Sequence, residues 1–114
     1  MRQIKFRAKD FSGVWWYGFP AIGIETAVIN PLLKDGTVRM GACIFIDKET
    51  IGQFTGIKDC KGNDIYEGDV VRCGSLVGNV TWVDGKGFYI LIQYPNMRLT
   101  IDSNPIEIIG NIHE

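Results

Sequence analysis

The amino-acid sequence predicts a mainly β fold. Glycine is frequent, with 14 residues among 114, and the apolar runs are short. Few windows show the 3.6-residue periodicity of a helix, whereas many alternate apolar and polar residues with a period of two. Hydrophobic residues make up 46% of the chain, so a protein of this length can bury a core without disulfides or metal.

The first strand is predicted from an alternation of apolar and basic residues. Its apolar side holds Ile4, Phe6 and Ala8, and its outer row holds Lys5, Arg7 and Lys9. A turn over residues 10–13 follows. An aromatic strand then covers residues 14–19, and we expect Pro20 to stop it.

Residues 21–30 give a weaker pattern. Ile22, Glu25, Thr26 and Ile29 would share one face of a short helix, but β-branched residues and Gly23 favour a strand or irregular structure. Both alternatives stay open from the sequence. The tripeptide Lys34-Asp35-Gly36 predicts a hairpin, followed by strands at 38–40 and 42–46 that bend at Gly41.

The second half of the chain has regular spacing. Strands are predicted at 51–55, where Gly56 ends the strand, and at 70–73, 77–83, 88–94, 97–101 and 106–112, while residues 65–66 lead into a turn at 67–69. Polar or glycine-rich turns separate them, among them residues 59–63. Short strands at this spacing suggest a small closed or partly open barrel, because closure removes sheet edges.

We therefore predict two parts. Residues 1–60 form a β-rich N-terminal subdomain with room for one short helix, and residues 61–114 form an SH3-like barrel packed on it. The expected core residues are Ile4, Phe6, Phe45, Phe54, Ile65, Tyr66, Val70, Val80, Trp82, Ile90, Ile108 and Ile112.

Charge and cysteine content narrow the class of protein. The net charge is −1, whereas a general nucleic-acid binder usually has a basic excess. Cys43, Cys60 and Cys73 show no metal-ligand spacing, so we expect reduced thiols, no metal and no cofactor. The N-terminal residues lack an apolar signal segment, and no apolar run is long enough for a membrane helix. These observations predict a cytoplasmic protein.

Catalytic motifs are missing from the sequence. The single histidine, His113, stands next to the last residue, and no nucleophile elbow, phosphate-binding loop or zinc-protease motif occurs. We expect no enzyme activity and assign no catalytic residue. An acidic group forms the densest candidate metal site and consists of Asp59, Asp64, Glu67 and Asp69. Its spacing does not fit a calcium loop, so turn capping is the better interpretation.

Two binding hypotheses rest on the N-terminal strands. The candidate residues are Lys5, Arg7, Lys9, Trp15, Trp16 and Tyr17. Basic side chains beside aromatic rings are typical of platforms that bind single-stranded nucleic acid. Adjacent tryptophans must point to opposite faces of a strand, so one is expected in the core and the other outside. An outward tryptophan also suits a protein interface, for which Phe11, Phe19 and Tyr94 are further candidates.

Three blocks of sequence resemble the YopX family of phage and prophage proteins. They are IKFRAKD at 4–10, QFTGIKDCKGNDIYEGDVV at 53–71 and IEIIGNIHE at 106–114. The chain departs from the family pattern at Lys9 and His113, and the segment 15–33 matches nothing in it. The resemblance implies a mostly β protein with an SH3-like C-terminal half, encoded by a phage or prophage. It implies no catalytic residues.

Taken together, these observations predict a non-enzymatic phage or prophage accessory protein in the bacterial host cytoplasm. It would act by binding a protein partner or itself. The alternative is a nucleic-acid-binding small β-barrel protein. Neither a membrane nor a small-molecule substrate is inferred.

Overall fold

A computed structural model describes residues 5–24, 26–32, 43–92, 97–101 and 105–113. The predicted mainly β class is confirmed, since these residues form eleven strands and one short 3-10 helix, Lys48–Thr50. They fall into two compact units, of which the first ends at Gln53 and the second begins at Phe54. The predicted hairpin at residues 34–36, the strand at 38–40 and the core residue Ile4 lie outside the described residues.

The first unit is an antiparallel sheet. Its strands are β1 (Phe6–Lys9), β2 (Trp15–Ile22), β3 (Ala27–Pro31), β4 (Ile44–Ile46) and the start of β5 (Gly52–Lys58). Neighbours in the sheet follow the order β4-β3-β2-β1-β5. The sheet curls, because Asp10 forms a bridge with Ile46 and the Asp47 N–H donates to the Lys9 carbonyl at 2.8 Å.

For this unit, the expected end of β2 at Pro20 is wrong, and the structure decides between the two alternatives for residues 21–30. Pro20 does not stop β2, which continues to Ile22. Among the described residues the pairing of β2 with β1 ends at Gly18, while Pro20 pairs with Ile29 of β3 and the strand continues beyond it. Of the two alternatives for residues 21–30, a strand is formed at residues 21–22 of β2 and 27–30 of β3, and the Gly23 N–H donates to the Thr26 carbonyl at 2.7 Å between them.

The second unit holds the remaining strands. They are β6 (Asp64–Tyr66), β7 (Asp69–Cys73), β8 (Leu76–Val83), β9 (Gly87–Ile92), β10 (Met97–Thr100) and β11 (Glu107–Asn111). Five of them form a sheet in the order β10-β9-β8-β7-β11, and β6 pairs with β5. Over the described residues this sheet is open, with β10 and β11 at its edges. A closed barrel is therefore not formed there, and the SH3-like description stays a prediction.

Each unit has its own core. In the second unit it consists of Ile65, Val71, Val80, Phe88, Ile90, Ile92, Ile101 and Ile106. In the first unit Ala8, Ala27, Ile29 and Ile46 are buried, with Trp16, Ile44 and Ile51 packed against them. Strand alternation explains both sets, because one face of each sheet collects the apolar side chains.

The core prediction is right for some residues and wrong for others. The residues confirmed as buried are Phe54, Ile65, Tyr66, Val80 and Ile90, while Phe6, Val70 and Ile108 are half-buried. Phe45, Trp82 and Ile112 are exposed, contrary to the prediction. The strand β5 also continues through Gly56 to Lys58, because a shift of register between Phe54 and Lys58 accommodates the glycine.

Candidate binding face

The pairing of β1 with β2 decides where the predicted site residues lie. Lys9 is opposite Trp15, Ala8 is opposite Trp16, and Arg7 is opposite Tyr17. Residues opposite each other in an antiparallel pair share a face of the sheet. Trp15 and Trp16 therefore point to opposite faces, as expected. The register therefore brings Arg7, Lys9, Trp15 and Tyr17 to the outer face, while Trp16 lies on the inner face.

Trp16 belongs to the inner face. Its ring packs against the core of the first unit, and its indole Nε1 donates to Asp10 Oδ2 at 2.9 Å. The other oxygen of Asp10 accepts from the Ser12 N–H, the Ser12 hydroxyl and the Val14 N–H. Donation from Trp16, followed by donation from Ser12 and Val14, holds the pKa of Asp10 well below its ordinary value. Trp16 and Asp10 thus anchor the β1–β2 turn.

The outer face carries a group of accessible rings, which we call the aromatic face: Trp15, Tyr17 and Phe19 of β2, and Phe45 of β4. Phe45 joins them through the register, because it pairs with Val28, which pairs with Ala21 of β2. Tyr17 is 45% exposed, Phe19 is 38% exposed and Phe45 is 63% exposed, while Trp15 is half-buried. Side chains two residues apart on β2 are separated by about 6.6 Å along the strand.

Arg7 corrects the expectation of an exposed basic row. It is only 7% exposed, and its guanidinium lies 4.6 Å from the centroid of the Trp15 ring. The Lys9 ammonium lies 5.6 Å from the same ring. Stacking of a guanidinium on an indole is favourable and holds both groups in place. Lys5 and Lys9 are half-buried, so the outer row is less exposed than the alternation suggested.

Sequence reasoning assigned Phe45 to the core, although a signal for its exposure was present. Phe45 stands between Ile44 and Ile46, which pair with the buried strand residues Ile29 and Ala27. Period-two alternation then sends Phe45 to the outside. Phe19, proposed as a further candidate, does lie on the aromatic face, and Tyr94 lies outside the described residues.

The acidic group of the second unit is used for backbone hydrogen bonds. Asp59 is 7% exposed, and its Oδ1 accepts from the N–H groups of Lys61 at 3.0 Å and Asn63 at 2.8 Å. Its Oδ2 accepts from the N–H of Ile108, 49 residues further along the chain, at 3.1 Å. Burial alone would raise the pKa of Asp59, but these bonds outweigh burial and the pKa is lowered.

Two other acids of this group, Asp64 and Asp69, are also engaged. Asp64 pairs with the Lys58 ammonium at 2.9 Å, and buried Asp69 accepts from the Tyr66 N–H at 2.8 Å. Within the described part of the chain, no three histidine, cysteine, aspartate or glutamate side chains come close enough to hold a metal ion. Turn capping, the better interpretation from the sequence, thus describes Asp59 and Asp69.

The central and C-terminal sequence blocks meet at this point. Besides the Asp59 bond to Ile108, the Cys60 N–H donates to the Ile106 carbonyl at 2.9 Å. Gly68, at a φ of 92°, donates to the Val80 carbonyl and accepts from the Ile112 N–H, both at 2.9 Å. A residue other than glycine would be strained at this φ. The two most specific blocks therefore hold one turn against the closing strand.

Together, these features define a small, mainly β protein with two distinct parts. One is the clasp, the set of hydrogen bonds that joins Asp59, Cys60 and Gly68 to residues 106–112. The other is the exposed aromatic face. Within the part of the chain that the structure describes, no helix has the length and apolarity needed to cross a membrane. Residues 5–114 match the family described as YopX protein, and the chain belongs to that family. No curated protein matches the chain.

Proposed function

We propose that this YopX protein is a non-enzymatic accessory protein of a phage or prophage, and that it works in the host cytoplasm by binding a protein partner or a second copy of itself. The contact surface in this proposal is the aromatic face. The observation that carries the proposal is the exposure of Tyr17, Phe19 and Phe45 on one side of one sheet. Neighbouring exposed rings of this kind mark interaction sites on soluble proteins.

The strands that hold the rings favour binding. Tyr17 and Phe19 lie on a strand that is paired on one or both sides along its length, so their backbone is ordered before a partner arrives. Aromatic side chains have few rotatable bonds and lose little entropy when a partner covers them. The stack of Arg7 on Trp15 adds a fixed, flat edge to the same face.

The use of the acidic residues supports a non-enzymatic function. General acid or base catalysis needs a titratable group that can reach a substrate. Asp59 has both carboxylate oxygens occupied by backbone N–H groups, and Asp69 is 1% exposed. Both side chains therefore stabilise turns and have no catalytic function in this proposal.

Position-specific photo-crosslinking in the host cell tests the proposal. The photoreactive residue benzoyl-phenylalanine replaces Phe19 in one variant and Tyr89, on the outer side of β9, in a matched control. We expect a discrete adduct from position 19, and mass spectrometry of the adduct separates a different protein from a second copy. Adding Tyr17→Ser and Phe45→Ser should reduce the adduct at least about tenfold, because both rings would contact the same partner.

Two results would contradict the proposal. One is the lack of an adduct at position 19 in cells that contain the folded variant, as verified by its circular dichroism after purification. The other is an adduct whose yield is the same at positions 19 and 89 and insensitive to Tyr17→Ser and Phe45→Ser.

Nucleic acid is the second candidate ligand. Lys5 and Lys9 flank the aromatic face, and the charged residues that the register places on this side of β1 are all basic. Burial of Arg7 under Trp15 and the net charge of −1 weigh against it. Fluorescence anisotropy with short DNA and RNA strands at low salt decides the question. Micromolar affinity that falls steeply with salt and with Lys9→Glu would support nucleic acid, and a flat titration would exclude it.

A further inference from the structure

A cavity of about 180 Å³ opens beside the aromatic face. Phe11 and Phe45 contribute rings to its wall, and the buried residues Ala27 and Ile46 contribute apolar side chains. Phe11 is 78% exposed, so both rings face water as well as the cavity. Phe45 also belongs to the aromatic face, so this ring is shared by the cavity and that face.

The size of the cavity restricts its occupant. Pockets for small-molecule ligands and cofactors usually measure about 300–1,000 Å³. A cavity of about 180 Å³ is too small for such ligands but large enough for one apolar side chain. Side chains that dominate the affinity of protein interfaces typically fill pockets of this kind.

The charges of the wall give a second restriction. Asp47 and Glu49 line the cavity together with Lys48. The Lys48 ammonium donates to the Ile24 carbonyl at 3.4 Å, and this hydrogen bond holds the ammonium near the backbone. Asp47 Oδ1 accepts from the Glu49 N–H at 3.1 Å. The wall carries two negative charges and one positive charge, and Glu49 is the exposed carboxylate among them. Complementarity of charge favours a partner with a basic residue next to its apolar anchor.

We infer that this cavity is an anchor pocket for a partner protein, and that it takes one large apolar side chain flanked by lysine or arginine. The inference rests on the proposed function and names the chemistry of its partner. The apolar side chain would lie between Phe11 and Phe45, and the basic residue would pair with Glu49. The rest of the partner segment would continue across the aromatic face.

Selection from a random peptide library displayed on phage, with the immobilised full-length protein as bait, tests the inference. The key variant is Thr26→Phe, since Thr26 is exposed and lines the cavity, so that a phenyl group there would fill it. The matched control is Ser75→Phe, which adds the same group at an exposed turn of the second unit. Thermal melts verify that both variants are folded.

We expect the selected peptides to share one large apolar residue beside a lysine or arginine. Thr26→Phe should weaken their affinity at least about tenfold, and Glu49→Gln a few-fold, while Ser75→Phe leaves it unchanged. Selection of no peptides, of acidic peptides or of peptides insensitive to Thr26→Phe would overturn the anchor pocket.

The double variant Tyr17→Ser with Phe19→Ser separates the two proposals. Peptides that lose affinity in the double variant but not in Thr26→Phe would refute the pocket and leave the aromatic face as the binding surface. Peptides that respond to Thr26→Phe alone would support the pocket and count against the wider face. Single-stranded oligonucleotides that compete for Thr26→Phe-sensitive binding would also refute a protein anchor.

Discussion

Asp59 is the residue with the largest structural role in the family motif. Its carboxylate satisfies two N–H groups of its own turn and one of the closing strand β11. From the sequence, Asp59 was predicted to cap a turn, and its local bonds confirm that. The bond to Ile108 could not be predicted, because nothing in the local pattern shows which distant strand lies over a turn.

Asp59→Ala should lower the free energy of unfolding by about 2–4 kcal/mol, because three N–H groups lose a charged acceptor and burial hides them from water. Asp64→Ala is the control. It removes an exposed ion pair with Lys58 and should cost at most about 1 kcal/mol. Urea denaturation at pH 7 measures both. Equal losses in the two variants would show that the clasp has no special role.

The same residue predicts a dependence on pH. Since the pKa of Asp59 is lower in the folded than in the unfolded chain, its stabilisation is fully present above the ordinary value near 4. It is lost as the pH falls through the folded pKa. The difference in stability between the natural chain and Asp59→Ala should therefore shrink below about pH 4. A difference that is constant from pH 7 to pH 3 would contradict this assignment.

At the scale of elements, β2 organises the first unit. Gly18 lies where β2 is paired on both sides, opposite Phe6 of β1 and Pro31 of β3. A Cβ at this position would overlap the Asn30 carbonyl oxygen and lie 3.1 Å from the Pro31 Cα. Both neighbours are backbone atoms that cannot move without breaking the pairing. The sequence showed a glycine in an aromatic strand but not this close approach.

Gly18→Ala should therefore destabilise the protein by about 2–3 kcal/mol, as overpacking against backbone does. Ala21→Ser, an exposed change on the same strand, should stay within about 0.5 kcal/mol. Chemical denaturation followed by tryptophan fluorescence gives both values. If Gly18→Ala were as mild as Ala21→Ser, the described packing of β2 against β3 would be wrong.

For the whole molecule, the sequence predicted what depends on local pattern. The period-two alternation and the turn residues predicted the strands β7, β8 and β9, together with the turn at 59–63. Pairing between distant strands was not predictable from these patterns. Pro20 does not end β2, since it pairs with Ile29 of β3, and local pattern does not show which strand lies beside a proline. The exposure of Phe45, by contrast, follows from local alternation, because it stands between the inward residues Ile44 and Ile46.

For the candidate site, too, local pattern could be predicted and contacts between strands could not. The split of Trp15 and Trp16 between two faces needed only strand alternation and was predicted. The burial of Arg7 depends on the cross-strand position of Trp15, which sequence spacing does not reveal. The membership of Phe45 in the aromatic face needs the register of three strands. The sequence therefore predicts which face of a strand a side chain lies on, but not which side chains of other strands lie next to it.

The central claim is that the outer side of the first unit, and not the clasp around Asp59, is the surface that meets a partner. Comparing adduct yields from photoreactive residues placed at positions 17, 19 and 45 with those at 61, 77 and 89 tests it most directly. We predict strong adducts to one and the same protein at the first three positions and background yields at the others. Strong adducts confined to position 61, in the turn that Asp59 caps, would contradict the account.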